Sequence, residues 1–406
     1  MAFPFRIYVE LGLFRSFSIL DVALVFAGLL QIAQLTREPE HFYVGDRLMF
    51  LLLIVPAGIA LASLSWSAHP AVSVRYVTHS LEAIVAYLAA VTVMRDLPSQ
   101  SVFHAMAGFV LALFAGSALF YLQVPGFERP VVVAELDPDS VEYLEWVTGF
   151  ATRLGHPFIG QSNVFATVLV FFVPTFVAYA RWADSNAARL MAVLCITGLA
   201  LTLSRGAALA LGLGLMVYAV YVHRVKPTRP LARWLLAGGL GAAALAMAVW
   251  IAVRFEELAE VVVESRLDVE SFDVRLKTLE IASQKIGERP ILGYGAGTAG
   301  QLDPELFGGV HNAYLELMIS YGVPLGLAAS FSLLLMAYAA WRWRAYRGQQ
   351  VLAVGATAAL VALLATFLTQ ASYESGPLRV LLGFSLGMLV AMFRSACREA
   401  RAPSGS

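Results

Sequence analysis

Arg205 stands at the centre of a long apolar stretch, where a charged side chain is unusual. Residues 186–223 are almost wholly apolar, and one helix of that length would measure about 57 Å, against a hydrocarbon core of about 30 Å. The chain must therefore turn, and Ser204-Arg205-Gly206 is the central break. An arginine at the membrane boundary is a functional hypothesis by default, and its planar fork suits phosphate. The alternative is a hairpin-tip arginine that only reaches out to water.

His311 opens another long apolar stretch, VHNAYLELMISYGVPLGL, directly after a more polar segment. An imidazole titrates near working pH, so a histidine at such a boundary could take a proton from an attacking hydroxyl group. Asn312 beside it adds an amide that could contact the same substrate. The alternative is structural: a histidine at the membrane interface that, together with Asn312, only caps the helix.

Three further cationic or amide side chains lie near predicted helix ends. Arg275 belongs to VRLKTLEIASQKIGE (274–288), whose apolar residues follow a helical spacing that stops at Pro290. Arg153 and Asn163 stand in TRLGHPFIGQSNVFA, at the entrance of an apolar span. Each has an ordinary structural interpretation as well, because solvated helix faces carry charge and span boundaries are normally polar.

A glycine run at Gly293, Gly295 and Gly297 has the spacing G-x-G-x-G. No strand is predicted before it, which disfavours a dinucleotide-binding fold. Two interpretations stay open: a flexible joint between two segments, or backbone amides that meet an anion. The SWS sequence at 65–67 is predicted to be an interfacial anchor at the end of a span.

The composition indicates the class of protein. The chain has 406 residues, of which 59% are hydrophobic and only 14% are charged, and its mean hydropathy is +0.73. Soluble proteins average roughly 45–50% apolar and about 25% charged residues, so a polytopic membrane protein is indicated. The 28 basic and 28 acidic side chains leave no surplus for nucleic-acid binding. The two cysteines cannot form a disulfide framework, and no zinc-ligand spacing occurs.

Apolar runs of about 20 residues predict the membrane-spanning helices. We expect an all-α polytopic fold with about 11–12 such helices, in a single transmembrane domain over residues 1–406. Residues 1–16 are half apolar and leave room for a further short helix. The predicted spans are 17–35, 47–66, 77–94, 104–123, 163–181, 186–203, 206–223, 231–253, 311–339, 350–372 and 377–394.

The basic residues orient the predicted helices. Loop 224–233, loop 340–349 and the tail from Arg394 are rich in arginine or lysine and are predicted to face the cytoplasm. The long segments 124–162 and 254–310, with most of the acids, are then predicted to be periplasmic loops, and loops of such length are usually functional. We expect amphipathic helices in the larger loop, lying on the outer membrane surface over the bundle.

The order of these pieces resembles the O-antigen ligase and polymerase superfamily of bacterial membrane glycosyltransferases. Each motif alone is loose, but together they span most of the chain in the family's order. The matching pieces are SLSWSAHP at 63–70, RLGHPFIGQSNVFATVL at 153–169, LTLSRGAAL at 201–209, VRLKTLEIASQKIGERPILGYGAGT at 274–298 and HNAYLELMISYGVPLG at 311–326.

This resemblance implies a GT-C-like membrane enzyme that transfers a glycan from undecaprenyl diphosphate to a sugar acceptor, with inversion and with neither a metal nor a nucleotide cofactor. It also implies an active site at the periplasmic face of the bacterial inner membrane. There, Arg205 and Arg275 would contact the donor diphosphate, and His311 would activate the acceptor hydroxyl group. Three further polar positions are expected to bind substrate: Arg153, Asn163 and Asn312.

Two transfer reactions fit this resemblance. The first is ligation of O-antigen to lipid A–core, and the second is polymerisation of O-antigen or exopolysaccharide repeats on the same carrier. Ligases tend to show HN, nine residues, and then G-x-x followed by Gly, Thr or Tyr. Here Gly322 has the right spacing, but the fourth position is Leu325 and the next glycine is Gly326. This departure favours the polymerase.

A transporter for the lipid-linked glycan is a third possibility, from another functional class. It would need charged side chains at mid-membrane depth. Asp21, Glu82 and Glu316 are predicted to lie nearer the ends of their spans than the middle. The predicted charge distribution therefore favours surface chemistry over transport.

Overall fold

The computed structural model of the protein describes most of the predicted helical spans and two short strands near the N-terminus. Sequence predictions for residues other than those given in the next sentence lie outside the described part of the chain. The described residues are 9–11, 14–17, 45–121, 162–202, 204–225, 270–303, 306, 310, 312–346, 348–369 and 376–401.

Ten α-helices make up most of the described chain. In sequence order they are α1 (Arg47–Ser63), α2 (Pro70–Val93), α3 (Ser99–Tyr121), α4 (Ser162–Trp182), α5 (Asn186–Leu201), α6 (Arg205–Val225), α7 (Glu270–Glu288), α8 (Ala313–Arg342), α9 (Gln350–Thr366) and α10 (Gly376–Glu399). Three single-turn 3-10 helices lie at Leu64–Trp66, Ala299–Gln301 and Trp343–Ala345.

Short-range chemistry sets where several helices begin. Asp46, Ser185 and Asn312 each accept hydrogen bonds from first-turn amides, of α1, α5 and α8 respectively. Pro70 occupies the first position of α2, where its fixed φ and missing N–H are tolerated. α2 therefore starts seven residues before the span predicted at 77–94.

The predicted all-α polytopic fold is confirmed. Within the described residues, seven helices are long and apolar enough to cross a membrane, and Asn186–Leu201 and Gln350–Thr366 are shorter apolar helices. These helices coincide with nine of the eleven predicted spans. The spans predicted at 17–35 and 231–253 lie outside the described residues, as does nearly all of the 124–162 loop.

The N-terminal segment departs from the prediction of a further short helix. Val9–Leu11 (β1) and Phe14–Phe17 (β2) instead form a small antiparallel pair, with Val9 opposite Phe17 and Leu11 opposite Phe14. β-branched and aromatic residues favour extended backbone, and Val9, Phe14 and Phe17 are of these types.

The helix termini lie at two opposite ends of the helix bundle. We call the first of these the basic end. It joins the start of α1, the α2–α3 connection and the ends of α8 and α10. Trp343 Nε1 donates to Asp46 Oδ2 at 2.9 Å, and Ser395 Oγ donates to the Leu97 carbonyl at 2.7 Å. The arginines of the basic end include Arg95, Arg181, Arg342, Arg344, Arg394 and Arg398.

The opposite end, which we call the motif end, carries the sequence motifs. Among the described residues it comprises 63–70, 202, 204–205, 290–298, 310, 312–313 and 366–369, which connect or terminate the helices. Two predicted basic cytoplasmic segments, 340–349 and the tail from Arg394, both lie at the basic end instead.

α4 is the central helix, with α5, α6, α9 and α10 packed around it. Its side chains Phe171, Phe172 and Phe176 are fully buried. Near the basic end, Phe103 of α3 stacks on Tyr179 of α4 with ring centroids 4.5 Å apart. Aromatic pairs of this kind contribute about 0.5–1.5 kcal/mol beyond the area they bury, so this pair stabilises the packing of α3 on α4.

α2 and α10 approach closely because α10 places two glycines one turn apart at their interface. A Cβ atom on Gly383 would collide with the Ala83 carbonyl oxygen. One on Gly387 would lie 2.6 Å from the Tyr87 carbonyl oxygen and 2.7 Å from Ala90 Cβ. Small residues four positions apart let membrane helices pack backbone to backbone.

Replacing Gly387 by valine is expected to destabilise the protein, because the larger side chain must push α10 away from α2. Overpacking of this kind typically costs about 1–3 kcal/mol. Gly108→Val in α3 is the matched control, since nothing lies within 4 Å of the position its Cβ would take. Thermal unfolding of both variants in one detergent measures the effect, and equal melting temperatures would contradict the close packing.

Candidate functional site

The motif end is built around a break in α8. Gly322 has a non-helical backbone (φ 78°, ψ 169°) inside this helix, so the regular hydrogen-bond ladder is interrupted there. Residues 290–298, which we call the docking segment, supply the missing partners. The bonds are Tyr294 N–H to Ile319 O at 3.0 Å, Gly295 N–H to Ser320 O at 2.8 Å and Val323 N–H to Pro290 O at 2.7 Å.

The other side of the docking segment is held by the SLSWSAHP motif and the start of α2. Trp66 Nε1 donates to the Leu292 carbonyl at 2.5 Å, so the predicted interfacial anchor also makes an internal contact. Three more bonds are Ala68 N–H to Tyr294 O at 2.7 Å, Ser73 Oγ to Ala296 O at 2.8 Å and Ala296 N–H to Ser63 Oγ at 3.0 Å.

The glycine run is a packed junction, which corrects both interpretations of it. The amides of residues 293–296 all donate hydrogen bonds within the protein, so they are not available to an anion. A flexible joint is excluded because Gly295, with φ 103°, lies against Ser67: a Cβ atom there would be 2.5 Å from Ser67 Oγ. Glycine tolerates this backbone conformation and leaves room for the contact.

Arg205 is the first residue of α6, as the predicted turn requires. α5 ends at Leu201, and Ser204 accepts the first helical hydrogen bond of α6 from Ala208 N–H at 3.0 Å. The Arg205 side chain is exposed. It shares this end of α6 with the positive end of the helix dipole. An exposed guanidinium at a helix N-terminus is an environment that favours phosphate.

Residues 366–369 end α9 and continue as a turn beyond it, and together we call them the last turn of α9. They join the Arg205 turn to the start of α8. Thr369 lies so close to Gly206 that a Cβ atom on Gly206 would collide with Thr369 Oγ1. Two residues earlier, the Phe367 carbonyl accepts a hydrogen bond from Ala313 N–H at 2.9 Å. The structure therefore brings the Arg205 turn and the start of α8 to one place. The close approach of Thr369 accounts for the glycine after Arg205.

Asn312 is the N-cap of α8. Its Oδ1 accepts hydrogen bonds from Tyr314 N–H at 3.0 Å and from Leu315 N–H at 3.2 Å. The capping interpretation is thus confirmed for Asn312, and a contact with substrate stays a prediction. His311 lies outside the described residues, so its role as a base also stays a prediction.

The remaining predicted site residues are placed only in part. Asn163 is the second residue of α4, at the motif end, and is half-buried. Arg275 lies in the second turn of α7, but its side chain is outside the described part, as is the whole of Arg153. Within the described residues, no three His, Cys, Asp or Glu side chains come together as a metal site would need.

A polar contact ties α7 to the docking segment. The Tyr294 hydroxyl donates to Glu288 Oε2 at 2.5 Å, and Lys285 Nζ lies 3.1 Å from both oxygens of the same carboxylate. These donors, the Tyr294 hydroxyl first, hold the pKa of Glu288 below its ordinary value. Burial, followed by the neighbouring Glu288 carboxylate, raises the pKa of Tyr294 to about 12.

Glu82 lies deeper in the membrane than predicted. Because α2 begins at Pro70, Glu82 stands at the middle of this 24-residue helix rather than near its end. Its side chain is 4% exposed, and its Oε2 is 2.9 Å from His79 Nδ1. The expectation for Glu82 was therefore wrong, and the charge argument against a transporter does not hold at this position.

Arg379 is a second buried charge that was not predicted to matter. Its Nη1 donates to the Tyr76 carbonyl at 2.9 Å and to Ser80 Oγ at 2.7 Å, and its guanidinium stacks 3.6 Å from the Tyr76 ring centroid. With Phe367 it lines a mainly apolar cavity of about 50 Å³, directly below the last turn of α9. The available signal was an arginine inside the span predicted at 377–394.

Gly206→Ala is expected to destabilise the motif end, because the added Cβ collides with Thr369. The expected cost is about 1–3 kcal/mol. Thr369→Gly removes the colliding atoms, so the double variant should recover most of the stability that Gly206→Ala loses. Gly212→Ala in the same helix, with nothing within 4 Å, is the control. Melting temperatures of the four variants test this, and a Gly206→Ala variant as stable as Gly212→Ala would refute the contact.

Tyr294→Phe is expected to loosen the last turn of α7, because it removes the hydroxyl that binds Glu288. Because the pKa of Glu288 is lowered, the contact is lost only when pH falls far enough to protonate this carboxylate in the folded protein. Because the pKa of Tyr294 is raised to about 12, the contribution of the contact is fully present below the ordinary pKa of a tyrosine. It is lost as pH rises through about 12. Faster hydrogen exchange in α7 is therefore expected throughout about pH 5 to about pH 9.

Tyr338→Phe is the control for this measurement, since Tyr338 is exposed on α8. Exchange rates corrected for the intrinsic effect of pH should be unchanged in Tyr338→Phe. Equal protection of α7 in Tyr294→Phe and the unaltered protein would show that the contact does not hold the helix.

Comparison with known families agrees with the resemblance found in the motifs. Residues 190–330, about a third of the chain, match the O-antigen ligase family model. The match runs from α5 into α8, and it includes the Arg205 turn, α7 and the docking segment. A search of curated proteins found no match. The resemblance is thus supported for this region: the chain is a multi-pass membrane protein whose residues 190–330 are similar to the O-antigen ligase family.

Proposed function

We propose that the protein transfers a glycan from undecaprenyl diphosphate to a sugar acceptor, most specifically O-antigen to lipid A–core. One observation carries the proposal: the last turn of α9 contacts both Gly206, next to Arg205, and Ala313, two residues after His311. The start of α6, which carries Arg205, and the start of α8, which His311 precedes in the sequence, are thereby attached to the same point of the bundle.

The proposed reaction is a single displacement. The acceptor hydroxyl oxygen attacks the anomeric carbon and forms the new glycosidic bond, while His311 takes the hydroxyl proton. The bond from that carbon to the phosphate oxygen breaks, and its electron pair leaves with undecaprenyl diphosphate. Arg205 and Arg275 stabilise the charge on the departing diphosphate. Attack opposite the leaving group inverts the configuration at the anomeric carbon.

The position of α7 supports a role for Arg275. The helix ends in the Glu288–Tyr294 contact, and the docking segment that follows is bonded to α8. α7 is therefore anchored at the motif end, where Arg205 lies. An amphipathic helix held in this way suits a side chain that meets a lipid headgroup.

The distribution of arginines supports a periplasmic site in the bacterial inner membrane. Positively charged segments next to membrane spans face the cytoplasm, and at least six arginines lie at the basic end. The motif end would then face the periplasm, where lipid-linked glycans are presented to their acceptors. Arg205 would lie at the headgroup plane of that leaflet.

Polymerisation of glycan repeats is the second candidate, favoured by the departure at Leu325. The structure adds a reason for the shifted glycine: a Cβ atom on Gly326 would lie 2.7 Å from Met318 Cα, across the break at Gly322. Gly326 thus meets a packing need of this chain, so the departure bears less on the choice of acceptor than the motif alone indicates.

Arg205→Ala and His311→Ala are each expected to lower glycan transfer by about 100-fold or more, because removal of one transition-state contact commonly has that effect. Arg205→Lys should restore part of the activity, since lysine keeps the charge but loses the planar fork. Arg189→Ala, in an exposed contact with Asp184 at the basic end, is the control.

Lipopolysaccharide gels of a deletion strain carrying each variant provide the measurement. Loss of every O-antigen band with accumulation of lipid-linked polymer supports the ligase, and survival of a single-repeat band supports the polymerase. A normal pattern from Arg205→Ala and His311→Ala at normal protein levels contradicts the catalytic assignment. Retention of the lipid-linked glycan on the cytoplasmic face would point to transport instead.

A further inference from the structure

We propose that Glu316 is a positioning residue, which holds Val310, the residue before His311 in the sequence, and takes no part in proton transfer. The proposal rests on the proposed function, in which His311 acts as the base. It concerns the one acidic side chain in the first turn of α8.

Glu316 is buried, with 1% of its surface exposed, and it reaches back past the start of its own helix. Its Oε1 accepts a hydrogen bond from Val310 N–H at 3.1 Å. A carboxyl group buried this completely is costly unless it forms hydrogen bonds. An apolar side chain would occupy the position at lower cost, so the hydrogen bond from Val310 N–H is a specific reason for an acid here.

The contact belongs to a set that fixes the chain on both sides of His311. Before it, Val310 is held by Glu316. After it, Asn312 caps α8, and Ala313 donates to the Phe367 carbonyl at the last turn of α9. Consecutive Cα atoms are about 3.8 Å apart, so these anchors act on the residues directly before and after His311 in the sequence.

Glu316 connects this anchoring to the donor side. The turn of α9 that accepts from Ala313 also packs on Gly206. If Val310 is released, the chain before His311 loses its anchor while the chain after it stays attached to α9. Misplacement of a reacting group by about 1 Å can lower a rate about 100-fold. The effect should fall on kcat, since the donor contacts at Arg205 are untouched.

Three substitutions separate positioning from direct chemistry. Glu316→Gln keeps an oxygen that can accept from Val310 N–H but cannot act as a base, and it should retain transfer within about threefold of the unaltered protein. Glu316→Ala removes the acceptor and should lower kcat about 10-fold to 100-fold with the KM for donor unchanged. Ser330→Ala, which deletes a buried hydroxyl bonded to the Gly326 carbonyl in α8, is the matched control.

The assay uses the full chain in lipid nanodiscs, with undecaprenyl-diphosphate-linked O-antigen as donor and purified lipid A–core as acceptor. Hydrogen exchange at the Val310 amide gives a second readout that is independent of activity. It should be slow in the unaltered protein and in Glu316→Gln, and fast in Glu316→Ala. This pattern, with the kcat effect, supports the proposal.

Each other result overturns a defined part of the argument. Full activity in Glu316→Ala, or equal loss in Glu316→Gln and Glu316→Ala with Val310 still protected in the former, overturns positioning by Glu316. If His311→Ala abolishes transfer and Glu316→Ala does not, only the positioning role fails. If His311→Ala retains transfer, the catalytic assignment in the proposed function fails, and the role of Glu316 fails with it.

Discussion

The break in α8 at Gly322 is the constraint on which the motif end depends. In the membrane every backbone amide and carbonyl needs a partner inside the protein, and a break in a helix removes several partners at once. The docking segment supplies them through its contacts with residues 319–323. Because that segment is itself bonded to residues 63–73 of α1 and α2, three distant stretches of chain become one rigid unit.

This unit and the last turn of α9 hold different helices of the proposed site in place. The docking segment anchors α7 through Glu288 and Tyr294, and thereby the helix that carries Arg275. The turn of α9 connects the start of α6 with the start of α8 through Gly206 and Phe367. The proposed donor and acceptor contacts thus rest on backbone bonds and close packing, which tolerate little displacement. Such rigidity is what electrostatic stabilisation of a departing diphosphate requires.

Local signals predicted most of the helices because membrane spans are defined by length and apolar composition. The turn at Arg205 followed from length alone, and α5 and α6 end and begin where that argument put the break. The start of α2 was missed because Pro70 begins the helix ahead of the apolar run. For that reason Glu82 was predicted near the end of its span, whereas it stands at the middle of the helix. The glycine run was misread because its neighbours, Ser67 and the α8 carbonyls, are distant in sequence.

The sequence by itself determined the membrane class, the order of the helices, the superfamily resemblance and the residue types able to bind a diphosphate or take a proton. These follow from composition, periodicity and short motifs, all of which are local. Only the tertiary structure decided that Gly206 packs on α9, that the glycines of 293–297 form a junction, and that Glu316 holds Val310. The last two depend on where backbone amides find partners, and the first depends on the close approach of a distant side chain. All three are specified by the packing of the whole bundle rather than by neighbouring residues.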